Sequence, residues 1–241
     1  MNEVAAAELP DAGARLSRIV ATAERLSARG RPDSKGLTDL VESTERLPSA
    51  VARATGYTVA AMAALVADPE RAGELAHRSL ELLPHGSSAW LGAYHPVPLW
   101  HVGRGELVEA LDHTVIPIET GIRLGERSAL IPLLVTHALV LQRIDDPKGA
   151  ATVRGALPYR WGVYAVDQQP VLDAWLASRL SDEVRARFAA KGAGLDYDAL
   201  FAIAPAALAD HLGDPGAQPH GSSTDEREAA RVPGSERSVD S

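Results

Sequence analysis

The stretch Leu141–Leu157, LQRIDDPKGAATVRGAL, decides the fold. An apolar helical pattern runs into Asp-Asp-Pro, and a second helical pattern starts at once. Proline pushes the residue before it out of helical geometry, so Asp146 has to leave the first helix. An aspartate there caps the next helix by accepting backbone N–H bonds. Pro147 suits the first helical position, where its missing N–H costs nothing. The chain thus stops and restarts a helix within a few residues.

The same punctuation recurs in VADPERAGELAHRSLELLP from Val66 and in VGRGELVEALDHTVIPIETG from Val102. Asp68 and Pro69 repeat the cap, and Gly103 and Gly105 are expected to replace it by tolerating positive φ. Aligning the copies superimposes Ala72, Ala110 and Ala150, spaced 38 and 40 residues apart. Repeats of that length are stacked helical hairpins. A fainter copy, SARGRPDSKGLTDLVEST, turns at Gly30–Pro32.

Apolar residues recur every three or four positions between these turns, as amphipathic helices require. The stripes are Leu16, Ile19, Ala23 and Leu26; then Ala72, Leu75, Ala76, Leu80 and Leu83; then Leu107, Leu111, Val115, Ile118 and Ile122; then Leu130, Leu134, Ala138 and Leu141. The pattern predicts helices over 10–28, 36–46, 49–66, 70–83, 87–102, 106–123, 127–142 and 147–157. Shorter ones follow over 170–180, 182–191 and 197–210, with Ser181 and Asp196 capping the last two. Pro117 and Pro132 are expected to kink their helices, and Pro96 and Pro98 to distort 87–102. No segment alternates with period two, so the fold class is all-α, an α-α superhelix of helical hairpins with a short helical C-terminal cap from about residue 158. The repeat domain occupies 1–212. Residues 213–241 contain no aromatic, leucine or isoleucine. They lack the apolar surface to offset ordering entropy and are read as a disordered tail.

Of 241 residues, 46% are hydrophobic and the formal charge is −8. That balance argues against direct nucleic-acid binding, which needs clustered Lys and Arg. The absence of cysteine removes disulfides, thiolate chemistry and Cys-based zinc sites. The N-terminal residues show no basic n-region before an apolar core, and no apolar run approaches the roughly 20 residues that span a bilayer, so a cytoplasmic protein without membrane contact is expected.

The helix pairs with DPERA and GRGELVEAL turns resemble degenerate tetratricopeptide repeats. The run RIDDPKGAATVRGALPYR, followed by VLDAWLASRLSDEVRARFAAKGAGLDYDALFAIA, is similar to the C-terminal end of bacterial LuxR-type and related signalling-ATPase transcriptional regulators. Asp146, Pro147, Gly155, Ala156, Arg160, Phe188, Gly192 and Leu195 carry this resemblance, which spans about residues 30–210. It implies a regulatory or scaffolding module without a reaction of its own. The nucleotide-binding and DNA-binding modules of such regulators are missing: Lys35, Lys148 and Lys191 are each followed by glycine rather than Ser or Thr, and no basic recognition helix occurs.

Candidate chemistry is sparse. None of the eight histidines pairs with another at zinc-binding spacing, and the histidines read as surface or hydrogen-bonded residues. HGSSAW at His85–Trp90 lacks the nucleophile-elbow glycines, and its serines are better placed to cap the next helix. Asp196 and Asp198 diverge on a helix start and do not form a dyad. No catalytic residue, metal or cofactor is therefore assigned. The aromatic residues carry more information. Seven of eleven fall in two windows: Trp90, Tyr94 and Trp100, then Tyr159, Trp161, Tyr164 and Trp175. Such residues either fill the core where prolines disturb packing or anchor a partner. The expectation is a non-catalytic module that binds a protein or peptide. The alternative is a sensor that takes a small-molecule inducer between the two windows, and an enzyme is a weaker third.

Overall fold

The computed structural model describes residues 13–23, 25, 34–65, 67–157 and 168–213. The Gly30–Pro32 turn, Leu26, Tyr159, Trp161, Tyr164 and the tail from 214 onward lie outside the described residues. Every regular element among the described residues is helical. They are α1 (13–23), α2 (Ser34–Glu45), α3 (Ala50–Ala64), α4 (Pro69–Glu81), α5 (Ser88–Tyr94), α6 (Pro96–Arg104), α7 (Leu107–Leu124), α8 (Arg127–Arg143), α9 (Pro147–Ala156), α10 (Gln168–Arg179), α11 (Asp182–Ala193) and α12 (Tyr197–Gly213). The all-α class follows directly.

The junctions explain the element boundaries. The Asp146 carboxylate accepts from Gly149 N at 2.9 Å and starts α9, as Asp68 does for α4 by accepting from Arg71 N at 3.1 Å. Just before it, Asp145 takes the left-handed conformation, with φ 57°. Its N–H bonds Gln142 O, and that of Asp146 bonds Leu141 O. This closes α8 with the paired return bonds that satisfy orphan carbonyls at a helix end. The same pair closes α6 at Gly105, φ 79°, and α7 at Gly125, φ 71°. Gly105, Gly125 and Asp145 stand twenty residues apart, half the hairpin period, so one helix and its turn is the repeating unit. Gly103, expected to share the turn, lies inside α6 instead.

Connections this short make sequence neighbours pack against each other. α3 packs on α2 and α4, α7 on α6 and α8, and α9 on α8. α11 returns onto α9, and α12 packs on α8 and α9. α8 is covered almost all round: Leu130, Leu133, Leu134, Val135, Ala138, Val140 and Leu141 are buried, each large residue contributing about 1.5–3 kcal/mol. Ala72, Ala110 and Ala150, aligned by the repeat, are all buried. Pro117 and Pro132 lie within uninterrupted helices. The segment expected as one helix over 87–102 is two, because Pro96 cannot donate to the preceding turn and instead opens α6 after His95.

Two glycines let α9 and α11 approach closely. A methyl on Gly155 would collide with the Ala189 backbone, and one on Gly192 with the Thr152 carbonyl. α9 and α11 therefore touch backbone to backbone, and the C-terminal helices are seated by that contact.

Candidate functional site

The first aromatic window builds a continuous row of rings across α4 to α7. Ser87 caps α5 by accepting from Trp90 N at 3.2 Å, which points Trp90 and Tyr94, one turn apart, along the same side. Ring centroids run His85–Trp90 at 4.3 Å, Trp90–Tyr94 at 4.7 Å and Tyr94–His113 at 6.3 Å. His113 stacks on His101 at 4.6 Å and 18°, His101 meets Trp100 at 4.7 Å, and His77 stands edge-on to Trp100 at 6.2 Å. Three of these histidines have Nδ1 engaged. His77 donates to Gly73 O at 2.8 Å, His101 donates to Glu106 at 2.8 Å, and His113 shares a 3.0 Å bond with the Tyr94 hydroxyl. Arg104 completes the end of the row, donating to Glu106 at 2.8 Å with its guanidinium 5.1 Å from the Trp100 ring.

The electrostatics follow from this packing. Hydrogen bonds from Arg104 and then His101 hold the Glu106 carboxyl below its ordinary range. Burial first, then the nearby His101 and His77, lower His113. Burial raises the Tyr94 phenol. Two further imidazoles lie in the core. His95 is pushed down to about 4 by burial and bonds Gly92 O. His137 is pushed down to about 3 by burial, with Nε2 3.1 Å from the Thr114 hydroxyl and its ring edge-on to Phe201. The His101–His113 pair is ill-placed to chelate, because an imidazole lone pair lies in the ring plane and stacked planes do not converge on one ion. Among the described residues, no group of three or more His, Cys, Asp or Glu is arranged to hold a metal.

The aromatic residues singled out in the sequence separate. Trp90 is a core residue, 4% exposed. Tyr94 and Trp100 are half-buried against the N-terminal core, and Gly73 makes room for the Trp100 indole. Trp175, on α10, packs against the C-terminal core around α8. Tyr159, Trp161 and Tyr164 lie outside the described residues. The convergence of His77, His101 and His113 was not visible in the sequence, because they are far apart along the chain and come from three helices.

A second feature corrects the sequence reading of α7. The stripe Leu107, Leu111, Val115, Ile118, Ile122 was expected to face the core. Val115 and Ile122 are instead 50% and 49% exposed, and Val108, Ile116 and Leu124 join them at the surface. The inward face is Ala110, Leu111, Thr114, Pro117, Thr120 and Gly121. Leu107, Leu111 and Ile118 of the stripe do pack on the core, and the neighbours explain why Val115 and Ile122 do not. The Thr114 hydroxyl donates to Leu111 O and accepts from His137 Nε2, and Gly121 leaves space for Leu130 and Leu91. Val108, Val115 and Ile122 recur every seven residues and so form one row, with Asp112 and Glu119 alongside. Among the described residues no helix is long and apolar enough to cross a membrane. Compared with known proteins, the chain matches no protein-family model, no curated protein and no solved structure.

Proposed function

We propose that this chain is a non-catalytic, tetratricopeptide-like interaction module that docks a protein partner on the outer face of α7. The observation that carries the reading is a second apolar row on α7: Val108, Val115 and Ile122 point outward while Leu107, Leu111 and Ile118 pack on the core. An exposed apolar row next to polar residues marks an interaction surface. The twenty-residue turn spacing supports the repeat reading, and the resemblance of the C-terminal run to signalling-ATPase regulators is what suggests a regulatory role in a bacterial cytoplasm.

The row also describes its partner. Asp112 and Glu119 flank Val108, Val115 and Ile122, and the whole chain carries a formal charge of −8. Antiparallel pairing of two copies along this row sets carboxylate against carboxylate, which is unfavourable. The complementary occupant is an amphipathic helix with an apolar stripe and a neighbouring row of Lys or Arg.

The test places a photoreactive amino acid at position 115 of the full chain in its native cells, with position 70 as an exposed control. The expected result is a specific adduct at 115 whose cross-linked segment is a basic amphipathic helix, lost when Asp112→Lys and Glu119→Lys reverse the flank. Adducts indifferent to that reversal refute the proposal. So does a self-adduct accompanied by a dimer in light scattering that Val115→Glu disperses, which assigns the row to a second copy.

A further inference from the structure

One contact in the ring row joins α6 to α7 face to face. The His101 and His113 rings lie 4.6 Å apart and 18° from parallel. A proton gives either imidazole a full positive charge, and two such charges stacked on each other repel. Protons therefore enter the pair in two unequal steps. The first has a carboxylate to meet, since His101 Nδ1 lies 2.8 Å from Glu106, which Arg104 also holds. The second has to enter His113. There it meets burial and then the charges of His101 and His77, which hold that imidazole below its ordinary range.

The groups around His113 come from several elements. α4 brings His77, α5 brings the Tyr94 hydroxyl to 3.0 Å from Nδ1, and α6 brings His101 with Arg104 behind it. From α8, His137 bonds the adjacent Thr114, and burial, which pushes it down to about 3, keeps it neutral. Glu109 and Asp112 of α7 itself are exposed, while His113 is half-buried at the border between the two faces of the helix. Glu109 precedes His113 by four residues, the spacing at which a carboxylate and a cation pair along a helix. A change of rotamer thus exchanges the stack and Tyr94 for solvent and Glu109.

We infer that the His101–His113 stack is a pH-sensitive latch: with one proton in the pair the rings stay together, and a second proton turns the His113 ring out of the stack, off the Tyr94 hydroxyl and onto Glu109. The stacked His113 lies below the ordinary 6.5 of a free imidazole, so the turned-out ring takes the second proton first. The latch is closed above that pH and opens as pH falls below it. It is independent of what docks on the outer face of α7, and its test uses no partner.

The full chain, with its histidines labelled at Cε1, is titrated by NMR from pH 7.5 to 5. His113 is expected to titrate below 6.5. Its ring contacts with Tyr94 should vanish over the same range, while the amide spectrum stays that of the folded chain. Glu109→Gln removes the partner of the turned-out ring from an exposed position and should lower the opening midpoint by about 0.2–0.4 in pH, the worth of one such helix pair. His101→Gln keeps a donor for Glu106 but removes the charge, so His113 should titrate about 0.5 higher in pH or more and keep its Tyr94 contacts. His211→Gln, on α12, should change nothing. The inference is overturned if the His113–Tyr94 contacts persist at pH 5, if they vanish only together with the folded spectrum, or if they are lost in His101→Gln at the same pH as in the parent.

Discussion

Replacing Gly155 or Gly192 by alanine tests whether α9 and α11 are held by a backbone-to-backbone contact. In an open helix this change is favourable by about 1 kcal/mol, since alanine is the better helix former. Gly103 in α6 supplies that case, because a Cβ there meets nothing within 4 Å. At Gly155 the new methyl falls on the Ala189 backbone, and at Gly192 on the Thr152 carbonyl. Neither obstacle can rotate away, so the helices must part by roughly 1 Å, and a gap of that size forfeits about a quarter to a half of the dispersion energy of each contact across it. Overpacking typically costs about 1–3 kcal/mol, and a backbone obstacle puts these sites at the upper end. Subtracting the propensity gain leaves a net loss of about 2 kcal/mol for each variant, a fall of roughly 4–8 °C in melting temperature for a domain of this size. Urea titration followed by far-UV circular dichroism reads the difference, with Gly103→Ala as reference. Because both glycines serve one crossing, the double variant should lose less than the sum. If Gly155→Ala and Gly192→Ala are as stable as Gly103→Ala, the proposed seating of α11 on α9 is wrong.

Trp90→Ala should cost about 3–5 kcal/mol of folding stability, measured by urea titration, because the indole is core; a smaller loss than about 1 kcal/mol would place it at the surface. Val115→Ser should change stability by less than about 0.5 kcal/mol in the same assay, since its side chain faces out. Asp145→Gly should be neutral to stabilising by up to about 1 kcal/mol as left-handed strain is relieved, whereas Gly125→Ala should destabilise by about that amount. His95 and His137 are depressed to about 4 and about 3 by burial, below the ordinary 6.5 that holds in the unfolded chain. The unfolded chain then takes up protons first, so stability is full above pH 6.5 and declines as pH falls toward 4 and 3. Melting temperatures across pH 7 to 4.5 should show this slope, and the paired change His137→Leu with Thr114→Val should remove about half of it, the share of His95 remaining.

The helix positions were legible in the sequence because their causes act within a few residues. Asp68 and Asp146 cap, Pro69 and Pro147 open, and apolar spacing sets the period, so the boundaries of α4 and α9 are close to those expected. Asp145 was not legible as a left-handed residue. Aspartate adopts that conformation only occasionally and at some cost, and the return bonds to Leu141 and Gln142 impose it. The orientation of α7 was not legible either. Its periodicity allows more than one inward face, and the choice rests on what α8 and α5 present: His137 needs the Thr114 hydroxyl, and Leu130 and Leu91 need the space at Gly121. The same holds for the ring row, where His77, Trp100, Tyr94 and His113 meet only because four helices converge. Local rules decide where a helix begins and ends. Which of its residues face inward depends on groups distant in the chain, whose shape and hydrogen-bonding needs the helix must meet.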